Sequence, residues 1–426
     1  MATETASGAA SALFGNHVEY RIVLYYCYIP IPDVSQHVIF QETLCSERQL
    51  LGRIRVSPEG INGVLSGTNA QLQAYERLVK EELGYLVNVS HWELDVKYCQ
   101  LRPDLSVKDQ LFNSLSVKPT TQVVSLLELT AANTENRPSN KRQSYSSKRR
   151  EKKRLERRNP QITRAQAIFA RSLQFKQEAA SHLSPEEWNA QLQALSIEKD
   201  MNVVLLDCRN VYESSVGYMS AAGASTVLTN TRKYSELPQV LLQQKDRLAK
   251  SSHVFMYCTG GVRCERASLF LQTLLQEETE QPPQIYQLHG GIQRYLESNR
   301  SSSKDSDTIS NKGGYFRGKN FVFDPRRTDP MQESTVVGHC LVCLKPHDDY
   351  DNGHAPAAGK EARCWNCRIL ILVCNDCRLT VSCCGEANDD TSQPRMYCGG
   401  KEKECWHMPP VQEITNTTQD SIDSTI

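Results

Sequence analysis

The segment Tyr257-Cys258-Thr259-Gly260-Gly261-Val262-Arg263-Cys264 carries the residue types for covalent chemistry. The run His253 to Tyr257 (HVFMY) reads as a short buried strand, and Glu265 to Gln276 as a helix. Cys258 then lies at the carboxyl end of a strand and the start of a helix, where sheets flanked by helices gather their sites. Gly260 and Gly261 let the backbone curl so that several N–H groups point inward as an anion nest. The helix adds its positive end, and Arg263 adds a full charge. Each of these favours thiolate over thiol, so Cys258 is expected to be nucleophilic near neutral pH. The competing reading is a buried, inert cysteine beside a glycine turn. Cys264, six positions on, reads either as a resolving thiol or as a helix-face residue.

Four residues separate Cys258 from Arg263, and Tyr257 precedes the cysteine. Cysteine phosphatases use a loop one residue longer, usually after a histidine. The shorter cradle suits a sulfur atom better than a phosphoryl group.

A second chemistry is written near the C-terminus. Cys340-x2-Cys343, Cys364-x2-Cys367 and Cys374-x2-Cys377 are followed by Cys383, Cys384, Cys398 and Cys405. In each pair two thiolates can reach one tetrahedral ion, and two pairs complete it. Cys340, Cys343, Cys364, Cys367, Cys374, Cys377, Cys383 and Cys384 are the expected ligands of about two structural zinc ions. His339, His347 and His354 are substitute ligands, and a redox thiol cluster or an iron–sulfur cluster is the alternative. Sequential and interleaved pairings both satisfy the spacing.

The elements that position these groups follow from pattern. Of the 426 residues, 49 are Lys or Arg and 49 are Asp or Glu, so no net charge pulls the whole chain toward nucleic acid or membranes. The charge is segregated, however: Lys141 to Arg158 holds ten basic residues against Glu151 and Glu156. Such a run is a solvated linker, a phosphate contact or a nuclear import signal. No apolar run is long enough to span a bilayer. The N-terminus has no apolar core for secretion, and Glu4 and Glu19 argue against a transit peptide. Sixteen Cys in a reducing compartment read as ligands or catalytic thiols. The cytoplasm is the expected compartment, with nucleus or organelle as alternatives. Tyr20 to Leu101 alternates strand and helix signals in a β-α-β-β-α-β order, which fits a ferredoxin-like (acylphosphatase-like) α+β domain. Nothing in that segment resembles a catalytic group. Residues 201–300 read as strands separated by helices, hence a parallel α/β sheet. Ser184-Pro185-Glu186-Glu187 reads as a capped helix start.

At this point the chain resembles the rhodanese (sulfurtransferase) family. Leu206-Asp207-Cys208-Arg209-Asn210-Val211-Tyr212-Glu213 matches its strand-ending Asp-x-Arg followed by Tyr-Glu. Asp207 and Arg209 are then expected to brace the site, or simply to form a salt bridge that holds the fold. The segment Met256 to Ser268 (MYCTGGVRCERAS) is similar to one subgroup. That subgroup is the bacterial tRNA uridine hydroxylases with their eukaryotic relatives, the thiosulfate sulfurtransferase/rhodanese-like domain-containing protein 2 group. Tyr286 to Ile292, Gly318 to Asp324 and Glu59-Gly60-Ile61-Asn62-Gly63 agree with it.

The resemblance implies an α/β rhodanese-like domain between an N-terminal ferredoxin-like domain and a C-terminal Cys-rich zinc-binding module. The expected boundaries are a disordered start at 1–17, the α+β domain at 18–122 and a basic linker with a helical insert at 123–185. The rhodanese domain follows at 186–302, a connecting segment at 303–338, the zinc module at 339–408 and a disordered tail at 409–426.

It also implies oxygen-dependent hydroxylation of a wobble uridine to 5-hydroxyuridine, with the tRNA anticodon region as partner and molecular oxygen as co-substrate. Cys258 and Arg263 would be catalytic within the loop Thr259, Gly260, Gly261, Val262 and Cys264. The alternatives are a persulfide sulfurtransferase, with Cys258 carrying sulfur from thiosulfate or a persulfide-donor protein, and a non-enzymatic interaction protein built on the zinc module.

Overall fold

The computed structural model describes residues 19–86, 92–127, 160–174, 179–200, 202–302, 314–330, 335–351, 363–364, 368–380 and 412–415. The expected disordered start at 1–17 and the basic run at 141–158 lie outside these residues.

The N-terminal domain is built on strands β1 (Tyr20–Tyr28), β2 (Leu51–Ser57), β3 (Gly60–Thr68), β4 (Asp95–Cys99) and β5 (Leu115–Pro119), ordered β4-β1-β3-β2-β5. The first four are the antiparallel ferredoxin-like sheet expected from the sequence. β5 is an addition, parallel to β2 at the edge. Two helices cover one face. Asp33 caps the helix Val34–Glu47 by accepting from the Gln36 N–H at 3.0 Å. The helix Asn69–Leu86 buries Leu72, Tyr75, Val79 and Leu83, a stripe at helical spacing.

The second sheet runs β14-β9-β7-β10-β11-β6, formed by β6 (Ser181–Leu183), β7 (Val203–Asp207), β9 (Ala224–Leu228), β10 (His253–Tyr257), β11 (Gln284–Leu288) and β14 (Gln412–Thr415). Its first five strands in chain order are mutually parallel, as expected for strands linked by helices. One face packs the helix Val262–Glu278, with Phe270, Leu274 and Leu275 fully buried. The other packs the helices Pro185–Ile197 and Gly291–Ser302 around Trp188, whose ring meets Phe255 edge-on at 5.1 Å. The expected cap is present: Ser184 and Glu187 form a reciprocal capping box.

Two boundaries differ from expectation. The segment 123–185, expected as a basic linker with a helical insert, has the helix but is also part of the rhodanese-like core. Val124, Leu126, Ala165, Ile168 and Phe169 are buried in the core under Val262–Glu278, and β6 joins the sheet beside β11. An apolar stripe on Pro160–Gln174 requires a partner, and the rhodanese-like sheet supplies it. Nor is the segment after 409 without structure. Gln412–Thr415 pairs antiparallel with β9, since an edge strand offers unpaired backbone groups to any extended segment.

A smaller ladder joins β8 (Gly217–Met219), β12 (Phe316–Phe321) and β13 (Thr328–Pro330). It seats the Cys-rich module, where Tyr350 donates to the Tyr212 carbonyl at 2.6 Å. Among the described residues no helix is long and apolar enough to cross a membrane.

Candidate active site

β10 is the central strand of its sheet, paired on both sides by β7 and β11, and every residue from Val254 to Tyr257 is buried. It delivers Cys258 into a tight loop that starts the helix at Val262. Gly261 has φ +94°, a conformation that L side chains rarely adopt. A Cβ on Gly260 would stand 2.7 Å from Leu24 Cδ2. The two glycines therefore serve both the curl and the close approach of the N-terminal domain.

Cys258 is fully buried. The Gly261 N–H points at its Sγ from 3.2 Å. Burial alone pushes the thiol up. A hydrogen bond from the Cys264 thiol, the Arg263 guanidinium and the N–H groups of Arg263 and Cys264 outweigh it and bring Cys258 down to about 5. Cys264 moves the other way: burial raises it first, and contact with Cys208 and Cys258 adds to this. It is thus a neutral thiol donating to a thiolate, which gives the second cysteine a defined place in the loop. Cys208, also fully buried, is the other thiol neighbour of Cys264.

Arg263 does not present a free charge to the sulfur. Its Nη1 and Nη2 fork onto Glu213 at 2.7 and 2.6 Å, and Nη2 also donates to Thr259 Oγ1 at 3.1 Å. Thr259 Oγ1 in turn donates to Glu213 at 2.8 Å. Glu213 is fully buried. Burial pushes its carboxyl up, but Arg263 and then Arg209 outweigh this and hold it below the usual range. The loop is clamped from within by this triangle, and the expectation of a full positive charge on the nest is reduced to that of a paired one.

Asp207 and Arg209 are both fully buried. Arg209 donates to both Asp207 oxygens and, at 2.5 Å, to the Gly217 carbonyl. They tie the end of β7 to β8, and the Arg209 guanidinium lies 5.7 Å from the centre of the Tyr257 ring, so their bracing is of the sheet around the site.

The N-terminal domain, in which the sequence showed nothing resembling a catalytic group, does contact the cysteine loop. Lys97 donates to the Gly260 carbonyl at 2.9 Å, Tyr28 to the Val262 carbonyl at 3.1 Å and Tyr26 to Glu265 at 2.9 Å. Asp95 holds Lys97 at 2.7 Å and receives Arg294 from the second domain at 2.5 Å. The available signal was polar residues at alternate positions, Tyr26 and Tyr28 on β1 and Asp95 and Lys97 on β4. Tyr26 pairs directly with Asp95, so all four share one face.

In the C-terminal module the sulfurs of Cys340, Cys343, Cys374 and Cys377 lie within 4.8 Å of one another and could hold a metal ion. The first and third pairs meet, skipping the second. The donor set fits a tetrahedral ion. Burial raises Cys340, yet N–H groups of Cys343, Cys374 and Val342 overcome this and lower it to about 6, toward the thiolate a metal requires. Cys364 is outside this cluster. Its turn nevertheless repeats that of Cys340. Leu344 N–H returns to Cys340 O and Arg368 N–H to Cys364 O, both at 2.9 Å, with φ +60° at Leu344 and +61° at Arg368. Cys367, Cys383 and Cys384 lie outside the described residues.

A parallel sheet with a nested cysteine at the end of its central strand, capped by an acylphosphatase-like sheet, defines a rhodanese-domain protein with an added N-terminal domain. Domain families agree: the UPF0176 acylphosphatase like domain matches residues 20–123, the Rhodanese-like domain residues 189–298, and the Rhodanase C-terminal family residues 317–388. The chain belongs to the tRNA uridine(34) hydroxylase family. It is 30% identical to the tRNA uridine(34) hydroxylase of Aster yellows witches'-broom phytoplasma over 348 residues, 81% of this chain and 87% of that one. The Staphylococcus epidermidis protein of the same name is 28% identical over 347 residues, covering 81% and 83%. Rhodanese-like domain-containing protein 6 of Arabidopsis thaliana is 30% identical over 362 residues, 85% of this chain. The chain spans about half the length of that plant relative.

Proposed function

We propose that this chain hydroxylates the wobble uridine of tRNA, with Cys258 as its essential thiolate. The observation that carries the reading is the place of Cys258: buried at the end of β10 with the Gly261 N–H on its sulfur at 3.2 Å, among neighbours that lower its thiol to about 5. Membership of a family whose relatives bear that activity in their names supplies the substrate. A thiolate adds to C6 of a uracil ring and makes C5 nucleophilic. C5 attacks dioxygen, the proposed co-substrate, to give a hydroperoxide. An external pair of thiols reduces this to the C5 alcohol and water while becoming a disulfide. Loss of the C5 proton then breaks the C6–S bond and returns the Cys258 thiolate. Thr259, Gly260, Gly261, Val262 and Cys264 shape the nest, and Arg263 fixes it through Glu213. The buried sulfur has to be uncovered, and the target base splayed out of its loop, before the two meet.

The test is nucleoside mass spectrometry of tRNA from cells lacking the protein. Loss of 5-hydroxyuridine derivatives at the wobble position is expected. Unchanged wobble nucleosides would overturn the reading. Persulfide transfer is the second reading, favoured by the Cys-x4-Arg loop and the adjacent Cys264 thiol, and a thiosulfate–cyanide assay measures it directly.

The same proposal places the enzyme in the cytoplasm and assigns zinc to the C-terminal module. Cys340, Cys343, Cys374 and Cys377 hold one ion, and the matching Cys364 turn supports a second with Cys367 and the later cysteines. Elemental analysis of the purified chain should give about two zinc ions. The double substitution Cys340→Ser/Cys377→Ser should remove one of them. Retention of all the metal in that variant would refute the assignment.

A further inference from the structure

The Gly260–Gly261 peptide unit joins two contacts already described. A trans peptide is planar and carries its C=O and N–H on opposite edges. Among the described residues no peptide bond is cis. On one edge the Gly261 N–H faces Cys258 Sγ at 3.2 Å; on the other the Gly260 carbonyl accepts from Lys97 Nζ at 2.9 Å. With glycine on both sides, no Cβ resists rotation of this unit. Rotated by half a turn, it would aim a carbonyl oxygen at the thiolate in place of an N–H.

Lys97 is built to prevent that. It is 2% exposed, and its ammonium also bonds Asp95 and lies 4.7 Å from the centre of the Tyr26 ring. Asp95 is anchored in turn by Arg294, which belongs to the helix beside the loop. A charged donor on the carbonyl edge also polarises the amide and strengthens the bond its N–H gives on the far edge.

We propose that Lys97 is a positioning residue: it locks the Gly260–Gly261 peptide with its N–H toward Cys258, so that the N-terminal domain completes the nest of the rhodanese-like domain. The inference rests on Cys258 being the reactive thiolate, and is independent of which substrate it attacks. The other titratable groups facing the sulfur are Arg263, Cys264, Tyr26, Tyr28 and Tyr234. Burial pushes all three tyrosines up, so they stay neutral through the range of the test.

The experiment follows ionisation of Cys258 in the full chain between about pH 4 and pH 10, bracketing the free-thiol value. It reads the ultraviolet absorbance of the thiolate in each variant minus that of the same variant carrying Cys258→Ser, so no reagent has to enter the buried site. Lys97→Met should raise the midpoint by about one pH unit or more, since a favourable contact to the anion is lost. Lys97→Arg should restore most of the shift, because it returns a charged donor. Arg102→Gln removes the contact of the N-terminal domain with Thr328 Oγ1 at 3.1 Å, loosens the same interface away from the cysteine loop and should leave the midpoint in place. If Lys97→Met does not fold, Lys97→Gln carries the same expectation.

A wild-type midpoint near 5 that does not move in the Lys97 variants overturns the proposal. So does an equal shift in Arg102→Gln, which would make Lys97 mere interface packing. A wild-type midpoint near that of a free thiol instead overturns the thiolate reading itself.

Discussion

Cys258→Ser is expected to abolish hydroxylation of the wobble uridine while leaving the chain folded. Serine differs from cysteine by one atom and fits the same buried space. Its hydroxyl, however, cannot be ionised by hydrogen bonds that bring a thiol down to about 5. Loss of a covalent nucleophile costs at least about 10³-fold in rate, so activity should fall below detection in a nucleoside assay of the purified variant with tRNA. Retained activity would remove Cys258 from the chemistry.

The pH dependence has a definite sign. The nucleophile is ionised at neutral pH, so wild-type activity is lost as pH falls through about 5. The folded thiol lies below its unfolded value, about 8.5. Thiolate stabilisation is therefore fully present above that value and lost as pH falls through the folded one. The melting temperature of wild type relative to Cys258→Ser should rise between those two limits, measured by calorimetry across the range.

Glu213→Gln is expected to have the largest effect on stability. The carboxylate is fully buried and receives both Arg263 nitrogens, the Thr259 hydroxyl and the Asn210 N–H. Replacing it with an amide leaves the Arg263 cation buried without its counter-charge. Breaking a buried pair in this way costs about 3–5 kcal/mol. At this domain size that is a fall in melting temperature of roughly 10 °C. Replacing both partners, as in Glu213→Leu/Arg263→Met, should recover much of the loss, because no isolated charge remains. A single substitution that melts with the wild type would show that the pair does not hold the loop. The pair itself should survive mild acid, since Glu213 is held below the ordinary carboxylate range.

Much of this site was legible in the sequence. The spacing of Cys258, its two glycines and Arg263 was enough to place a thiolate nest between a strand and a helix. The β-α-β-β-α-β order gave the N-terminal sheet, apart from β5. What escaped was whatever depends on two distant segments meeting. Lys97 and Gly260 are 163 positions apart, and a lysine alternating with apolar residues on a strand looks like a solvent-facing residue until a second domain is laid over it. Arg263 was visible as a charge, but its neutralisation by Glu213 needed the fold. The cysteine pairs announced a metal, yet their spacing is equally compatible with neighbouring and interleaved partners. The fold decides between them: the Leu341 N–H bonds the Leu372 carbonyl at 2.9 Å and the Cys374 N–H points at Cys340 Sγ from 3.4 Å, so the first and third pairs meet. β14 was missed because pairing at a sheet edge is made by backbone, to which a Thr- and Glu-containing segment is as suited as any other.

A thiolate that is ionised at neutral pH is exposed to every oxidant and electrophile in a cell. Cys258 escapes that fate because it has no surface at all while Tyr26, Tyr28 and Lys97 stand over its loop. Selectivity in such an arrangement is a matter of admission before it is one of affinity. A small reagent that cannot part the two sheets meets a closed door, whatever its reactivity. A macromolecule that grips both sheets can spend its binding energy on opening it.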